Sequence, residues 1–242
     1  MPRLIALAAA LFLASAAVAQ ELRVLTGSET YRAAGNEPFW SVMLEAGEMR
    51  LSRLGAEDLR LPVIESHPTD TGVIHVIAAD PARALRAVLE RLPRICRDSM
   101  TGMPHPETVT VSMGDETLSG CGGDPLSLLT GQTWVVEDIG GAGVIESARA
   151  TLGFDATGRV FGNGSCNRFM GDAALSGEGL RLGPLASTRM ACPEAVMAQE
   201  RRVFEALEQV IGFDIDATGA LVLLGPEGAV LTARAATDGS AP

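Results

Sequence analysis

The sequence predicts a mainly β protein, a β-rich α+β chain of two small antiparallel β domains, the second a meander with one helix. Three observations lead there. Short segments alternate apolar and polar residues with a period of two, as where Val109, Val111 and Met113 are set against Thr110 and Ser112. Clusters of Gly, Pro, Asp and Ser separate such segments at hairpin spacing. A helical apolar period is strongest in one place, where Val196, Met197, Val203, Phe204, Leu207 and Val210 fall on one face.

The first element is not part of either domain. Arg3 precedes an almost purely apolar run over residues 4–18, and Ala17-Val18-Ala19 supplies the small-x-small pattern that signal peptidase cuts. Residues 1–19 are therefore expected to be a signal peptide cleaved after Ala19, which would place the mature chain in the periplasm or medium. No cysteine follows the cut, and no later apolar run approaches the roughly 18 residues of a spanning helix, so membrane insertion of the mature chain is not expected.

Residues 20–126 form the expected N-terminal β domain. Segments 40–44, 72–78 and 108–113 read as strands, broken at short intervals by Pro62, Pro68, Pro93, Pro104 and Pro106. Segment 85–90 is ambiguous. Asp80-Pro81 followed by Leu85, Val88, Leu89 and Leu92 suits a capped amphipathic helix, whereas Leu85, Ala87 and Leu89 also alternate as a strand would. Gly122-Gly123-Asp124-Pro125 marks the expected division between the domains.

Residues 127–235 form the second domain, with residues 236–242 a small, polar tail expected to be disordered. Segments 150–154, 159–162, 180–183, 213–216, 221–224 and 230–233 read as strands. Turn signals stand between them at Asp155-Ala156-Thr157-Gly158, Ser176-Gly177-Glu178-Gly179, Ala217-Thr218-Gly219 and Pro226-Glu227-Gly228. The helix is expected to open at Pro193 and to turn Glu200, Arg201, Glu205 and Glu208 to solvent.

Charge and cysteines bound the function. The 242-residue chain carries a net charge of −11, and all 19 of its cations are arginine. An acidic surface repels phosphate backbones and anionic lipid, so no nucleic-acid partner is expected. Without lysine there can be no Schiff base, Ser-Lys catalysis or Walker-type phosphate loop. Four cysteines in an exported chain point to two disulfides. Three pairings are possible. The local one, Cys96 with Cys121 and Cys166 with Cys192, keeps each bond inside one domain, and closing a loop of that size contributes roughly 3 kcal/mol on the chain-entropy view. A zinc site is disfavoured, because no C-x-x-C occurs and His67, His75 and His105 follow no ligand rhythm. No metal or cofactor is expected.

Several motifs carry a resemblance. Gly131-Gln132-Thr133-Trp134, Gly164-Ser165-Cys166-Asn167-Arg168-Phe169 and the run Gly183-Pro184-Leu185-Ala186-Ser187-Thr188-Arg189-Met190-Ala191-Cys192 resemble the META domain, the family of the heat-shock protein HslJ. The resemblance implies an antiparallel β domain with a single helix, found in bacterial envelope proteins and without established enzymatic activity. Gly35-Asn36-Glu37-Pro38-Phe39-Trp40, Cys96-Arg97-Asp98-Ser99-Met100 and Gly120-Cys121-Gly122-Gly123 resemble a small bacterial envelope family of uncharacterised role. In its relatives the stretch before the first cysteine reads as a strand, which tips segment 85–90 to strand.

No residue set reaches a catalytic assignment. Ser165 lacks the Gly two residues on that a nucleophile elbow requires, since Asn167 stands there, and the second domain has no His to activate Cys166. Glu37 and Asp98 could be imagined as an acid and base, but sugar cleavage would also want stacking aromatics that are scarce here. Trp40 and Trp134 read as core anchors, one per domain. Arg168 and Arg189, beside Asn167 and Thr188 and near one expected bridge, are the candidate binding residues, able to fork onto a carboxylate or phosphate. The expected function is a non-enzymatic envelope binding or stress-protection module, with an envelope protein or small ligand as partner. The alternative is a carrier holding a small apolar ligand inside a β-barrel.

Overall fold

A computed structural model describes residues 30–236. The expected signal peptide, the rest of the first 29 residues and nearly all of the expected tail lie outside the described residues. The first domain contains β1 (Tyr31–Asn36), β2 (Phe39–Glu45), β3 (Glu48–Arg53), β4 (Leu59–Pro68), β5 (Ile74–Asp80), β6 (Leu85–Leu92), the short β7 (Cys96–Arg97) and β8 (Pro104–His105), β9 (Glu107–Met113) and β10 (Glu116–Gly122). Eight of these close a barrel in the order β1-β10-β9-β6-β5-β4-β3-β2. All pairings are antiparallel, and β1 closes the ring on β10 through Ala33↔Gly122 and Ala34↔Cys121. Closure leaves this sheet no bare edge strand, the feature that invites edge-to-edge aggregation.

The period of two does the sorting. Along β1 the side chains of Tyr31 and Ala33 are buried while Arg32 and Ala34 face out; along β9 Val109 and Val111 are buried. The barrel interior is filled by Trp40, Leu44, Met49, Leu51, Leu61, Val76, Leu89 and Leu118 together with smaller residues. Segment 85–90 is strand, as the resemblance implied. The helical signal at Asp80-Pro81 is spent on a single 3-10 turn, Pro81–Arg83, where the Asp80 carboxylate accepts from the Ala82 and Arg83 amides. Ala84, at φ 53°, then ends the turn, and β6 puts Ala87 and Leu89 into the core between β5 and β9.

The second domain contains β11 (Thr133–Ile139), β12 (Thr151–Phe154), β13 (Arg159–Asn163), β14 (Arg168–Ser176), β15 (Gly179–Leu182), β16 (Ala186–Ser187), α1 (Glu194–Glu208), β17 (Gly212–Ile215), β18 (Leu221–Gly225) and β19 (Gly228–Ala235). They form one curled half-barrel sheet in the order β15-β14-β13-β12-β11-β19-β18-β17, with β16 alongside β14. Helix α1 fills the hollow with Val203, Ala206 and Leu207. It starts at Glu194, so Pro193 is the N-cap and not the first helical residue. Glu200 does not face solvent as expected; it is 7% exposed. Among the described residues no helix is long and apolar enough to cross a membrane.

Both tryptophans anchor their cores. Trp40 Nε1 donates to Ser119 O at 3.2 Å and Trp134 Nε1 to Leu129 O at 3.0 Å, so each buried ring keeps its one polar group satisfied. The bridges are Cys96–Cys121 and Cys166–Cys192, the local pairing. The two halves also touch. Met103 belongs to the second core, with Ile95 and Leu126 against it, and Arg97 forks onto Asp214 with Nε and Nη2 each at 3.0 Å while Nη2 also reaches Ile215 O at 2.8 Å.

Candidate functional site

The Cys166–Cys192 bridge is the centre of the candidate site. Gly164 and Ser165 turn the chain sharply after β13, with Ser165 at φ 111° and its amide held by Asn163 Oδ1 at 2.8 Å. A side chain at Gly164 would press on Phe204 and Glu200 of α1, so glycine lets the helix close on the turn. Into that turn α1 sends two polar residues. The Glu200 carboxylate accepts the amides of Cys166 at 3.0 Å and Asn167 at 2.5 Å, and Asn167 Nδ2 at 2.8 Å. Gln199 accepts from the Ile145 amide at 2.6 Å and donates to Ala148 O at 2.7 Å and Ser165 Oγ at 2.9 Å.

Asn167 completes the network from the other side. Its Oδ1 accepts from Thr188 Oγ1 at 2.9 Å and from the Met190 amide at 2.6 Å. One buried carboxylate and one buried amide thus tie helix, turn and disulfide into a closed network, and a satisfied network of this kind rigidifies its surroundings. The structure therefore brings Asn167, Arg168, Thr188 and Arg189 together but divides their roles. Asn167, 4% exposed, is an internal connector, whereas Arg168, Thr188 and Arg189 are exposed. Neither arginine has an ion-pair partner among the described residues.

Apolar side chains accompany them. Phe161 and Met170 are directly paired across β13 and β14 and point outward, and Met190 follows Arg189; each is about half exposed. Phe161 lies over Gly153, where a side chain would collide with its ring. The result is an outward patch of arginine, methionine and phenylalanine on an acidic protein, a composition favoured at interfaces. Sequence reasoning missed Glu200 and Gln199. A signal was present, because Glu200 lies four residues after Val196 and three before Val203, which puts it on the apolar stripe.

In the first domain Asp98 of the imagined acid–base pair is engaged by its own loop. Burial pushes the Asp98 carboxyl up, but bonds from the Thr101 amide, Asn36 Nδ2, the Met100 amide and Thr101 Oγ1 outweigh it and hold the group below the ordinary range. Asp98 is thus an ionised anchor for the loop after β7. Glu37 is exposed in the turn between β1 and β2. The more secluded charged set, also missed, lies at one barrel mouth. Tyr31 Oη donates to Glu107 at 2.7 Å, Arg91 forks onto the same carboxylate at 2.8 and 2.9 Å, and the Arg91 guanidinium lies 3.8 Å over the Tyr31 ring. Burial first, then the Glu107 hydrogen bond and charge, drive the Tyr31 phenol far above its usual value.

The fold does bring His67 and His75 together as cross-strand neighbours, ring centroids 5.7 Å apart. Among the described residues, however, no three His, Cys, Asp or Glu side chains are grouped to hold a metal ion.

Residues 127–238 match the model of the META domain. No curated protein matches the chain. Among solved structures, an NMR structure of a protein from Burkholderia xenovorans is 30% identical over 46% of this chain and 86% of that one, with a TM-score of 0.38.

Proposed function

With a META domain as its second half, we propose that this protein is an exported, non-enzymatic envelope protein that acts by binding, and that the Arg168–Thr188–Arg189 face makes the contact. One observation carries the reading. The motif pair commits Asn167, Glu200 and Gln199 to an internal network and leaves Arg168 and Arg189 exposed and without acidic partners, flanked by Phe161, Met170 and Met190. Two bridges that need an oxidising compartment support export, as does the signal-like N-terminus. The stress assignment rests on the resemblance to HslJ. The carrier alternative is weakened by a barrel interior already occupied by large side chains.

Rescue of a heat- or drug-sensitive deletion strain tests the proposal. Arg168→Ala with Arg189→Ala should leave the melting temperature almost unchanged, as exposed substitutions usually stay within about 0.5 kcal/mol, yet abolish rescue at normal protein level. Glu200→Ala is the reference for a structural effect. It strips two buried amides of their acceptor and should lower stability by about 2–4 kcal/mol. If the arginine variant melts like the Glu200 variant, or rescues as well as the parent, the contact face is not there.

A further inference from the structure

A second, separate site is built on the outer wall of the barrel. The cleft there has a volume of about 620 Å³, within the range of small-molecule sites, and runs between β1–β3, His105 of β8 and the segment 123–125 after β10. Its floor follows from strand register. Arg32, Met43 and Arg50 are aligned across β1, β2 and β3, and Ala34, Ser41 and Ser52 form the next outward row. Strands lie about 4.8 Å apart, so the two arginines flank Met43 with their backbones about 10 Å apart. Both guanidinium groups can reach one anion seated over the methionine, with the serine hydroxyls beside it.

The ion pairs around the cleft set its charge. On β3 and the adjoining β4, Arg53 is held by Glu116 at 2.6 Å and Arg60 by Glu48 at 3.1 Å. Arg32 has no ion-pair partner among the described residues, and Arg50 has only Asp58 at 3.7 Å, with both side chains substantially exposed. Two under-neutralised cations thus line one cleft in a chain of net charge −11. Neither Ser41 nor Ser52 makes a side-chain hydrogen bond among the described residues. His105 Nδ1 donates to the Gly123 carbonyl at 3.1 Å, which fixes the ring in the wall of the cleft. One wall residue opposes an anion: Asp124, whose carboxylate is engaged by the Leu126 amide at 2.9 Å.

We propose that this cleft binds a small organic anion, its carboxylate or phosphate group forked between Arg32 and Arg50 and its body resting on Met43 and Ala34. Isothermal titration calorimetry on the full mature chain, at constant ionic strength, with succinate and with inorganic phosphate tests it. One-to-one binding of either probe, weakened at least tenfold by Arg32→Ala and by Arg50→Ala but not by Arg53→Ala, supports the site, and the probe that binds identifies the headgroup. Each variant's melting temperature is measured in parallel, and Arg32→Lys and Arg50→Lys, which keep the charge but lose the fork, should recover part of the affinity. Absence of binding by both probes at millimolar concentration, or binding equally sensitive to Arg53→Ala, overturns the proposal.

Discussion

Single residues set the chemistry of the two polar clusters, and the titration of one of them can be read directly. Tyr31 is the chain's only tyrosine, so tyrosinate absorbance reports on the barrel mouth alone. Its folded pKa lies above the unfolded value of about 10, and the protonated form is the one the fold favours. The stabilisation it contributes is therefore fully present below pH 10 and is lost as pH rises towards the folded value. In an alkaline titration tyrosinate should not appear near pH 10 while the barrel is folded. It should appear together with loss of near-ultraviolet circular dichroism; ionisation near pH 10 with the fold intact would show that the Glu107 and Arg91 contacts do not enclose the phenol. In the Glu200–Asn167 network the carboxylate and the amide spend their hydrogen bonds inside the protein. Conspicuous motif residues can thus be wholly occupied with building a turn, while their neighbours in sequence, Arg168 and Arg189, point the other way.

At the scale of elements, strands were legible where both the period of two and an ordinary turn signal were present. β2, β5, β9, β12, β13, β15, β17, β18 and β19 all overlap expected segments. β3 went unread because its hairpin with β2 turns on Ala46-Gly47, at φ 49° and 78°, and alanine is no turn former. A two-residue loop with both residues at positive φ is a type I′ turn, which favours Asn at the first position. Ala46→Asn should therefore raise stability by about 1 kcal/mol in urea denaturation, since it relieves the left-handed cost of alanine. A drop in stability would mean that the turn is not of this type. β14 was missed for a different reason. Its outward row of Arg168, Met170 and Asp172 carries an apolar residue among charges, and its inward row of Phe169, Gly171 and Ala173 is mostly small, so the apolar period is weak.

For the whole molecule the question is how far the two halves depend on each other. We expect the second half to fold alone, because its core is nearly self-contained. Met103, Ile95 and the Arg97–Asp214 fork reach it from the barrel side, however, and the 3-10 turn Pro125–Leu128 lies against it. A fragment of residues 124–242 should show one cooperative thermal transition under oxidising conditions, at a lower temperature than the same domain in the full chain. A fragment that stays unfolded while the full chain folds would mean that the chain is one folding unit.

The sequence by itself determined the β-rich class, the single helix, the turns of the second meander, the two tryptophan anchors and the choice of local disulfides. The first four follow from period and turn chemistry, which are properties of neighbouring residues, and the disulfides from an even cysteine count and domain membership. Only the tertiary structure decided that the first sheet closes into a barrel, because closure depends on pairing β1 with β10, nearly ninety residues apart. It also decided that Glu200 is buried, that Asp98 anchors a loop, and that Arg32 and Arg50 flank Met43 on the barrel's outer face. A charge pays a desolvation cost or finds a partner according to what long-range packing sets beside it, and that arrangement is written in no local stretch of the chain.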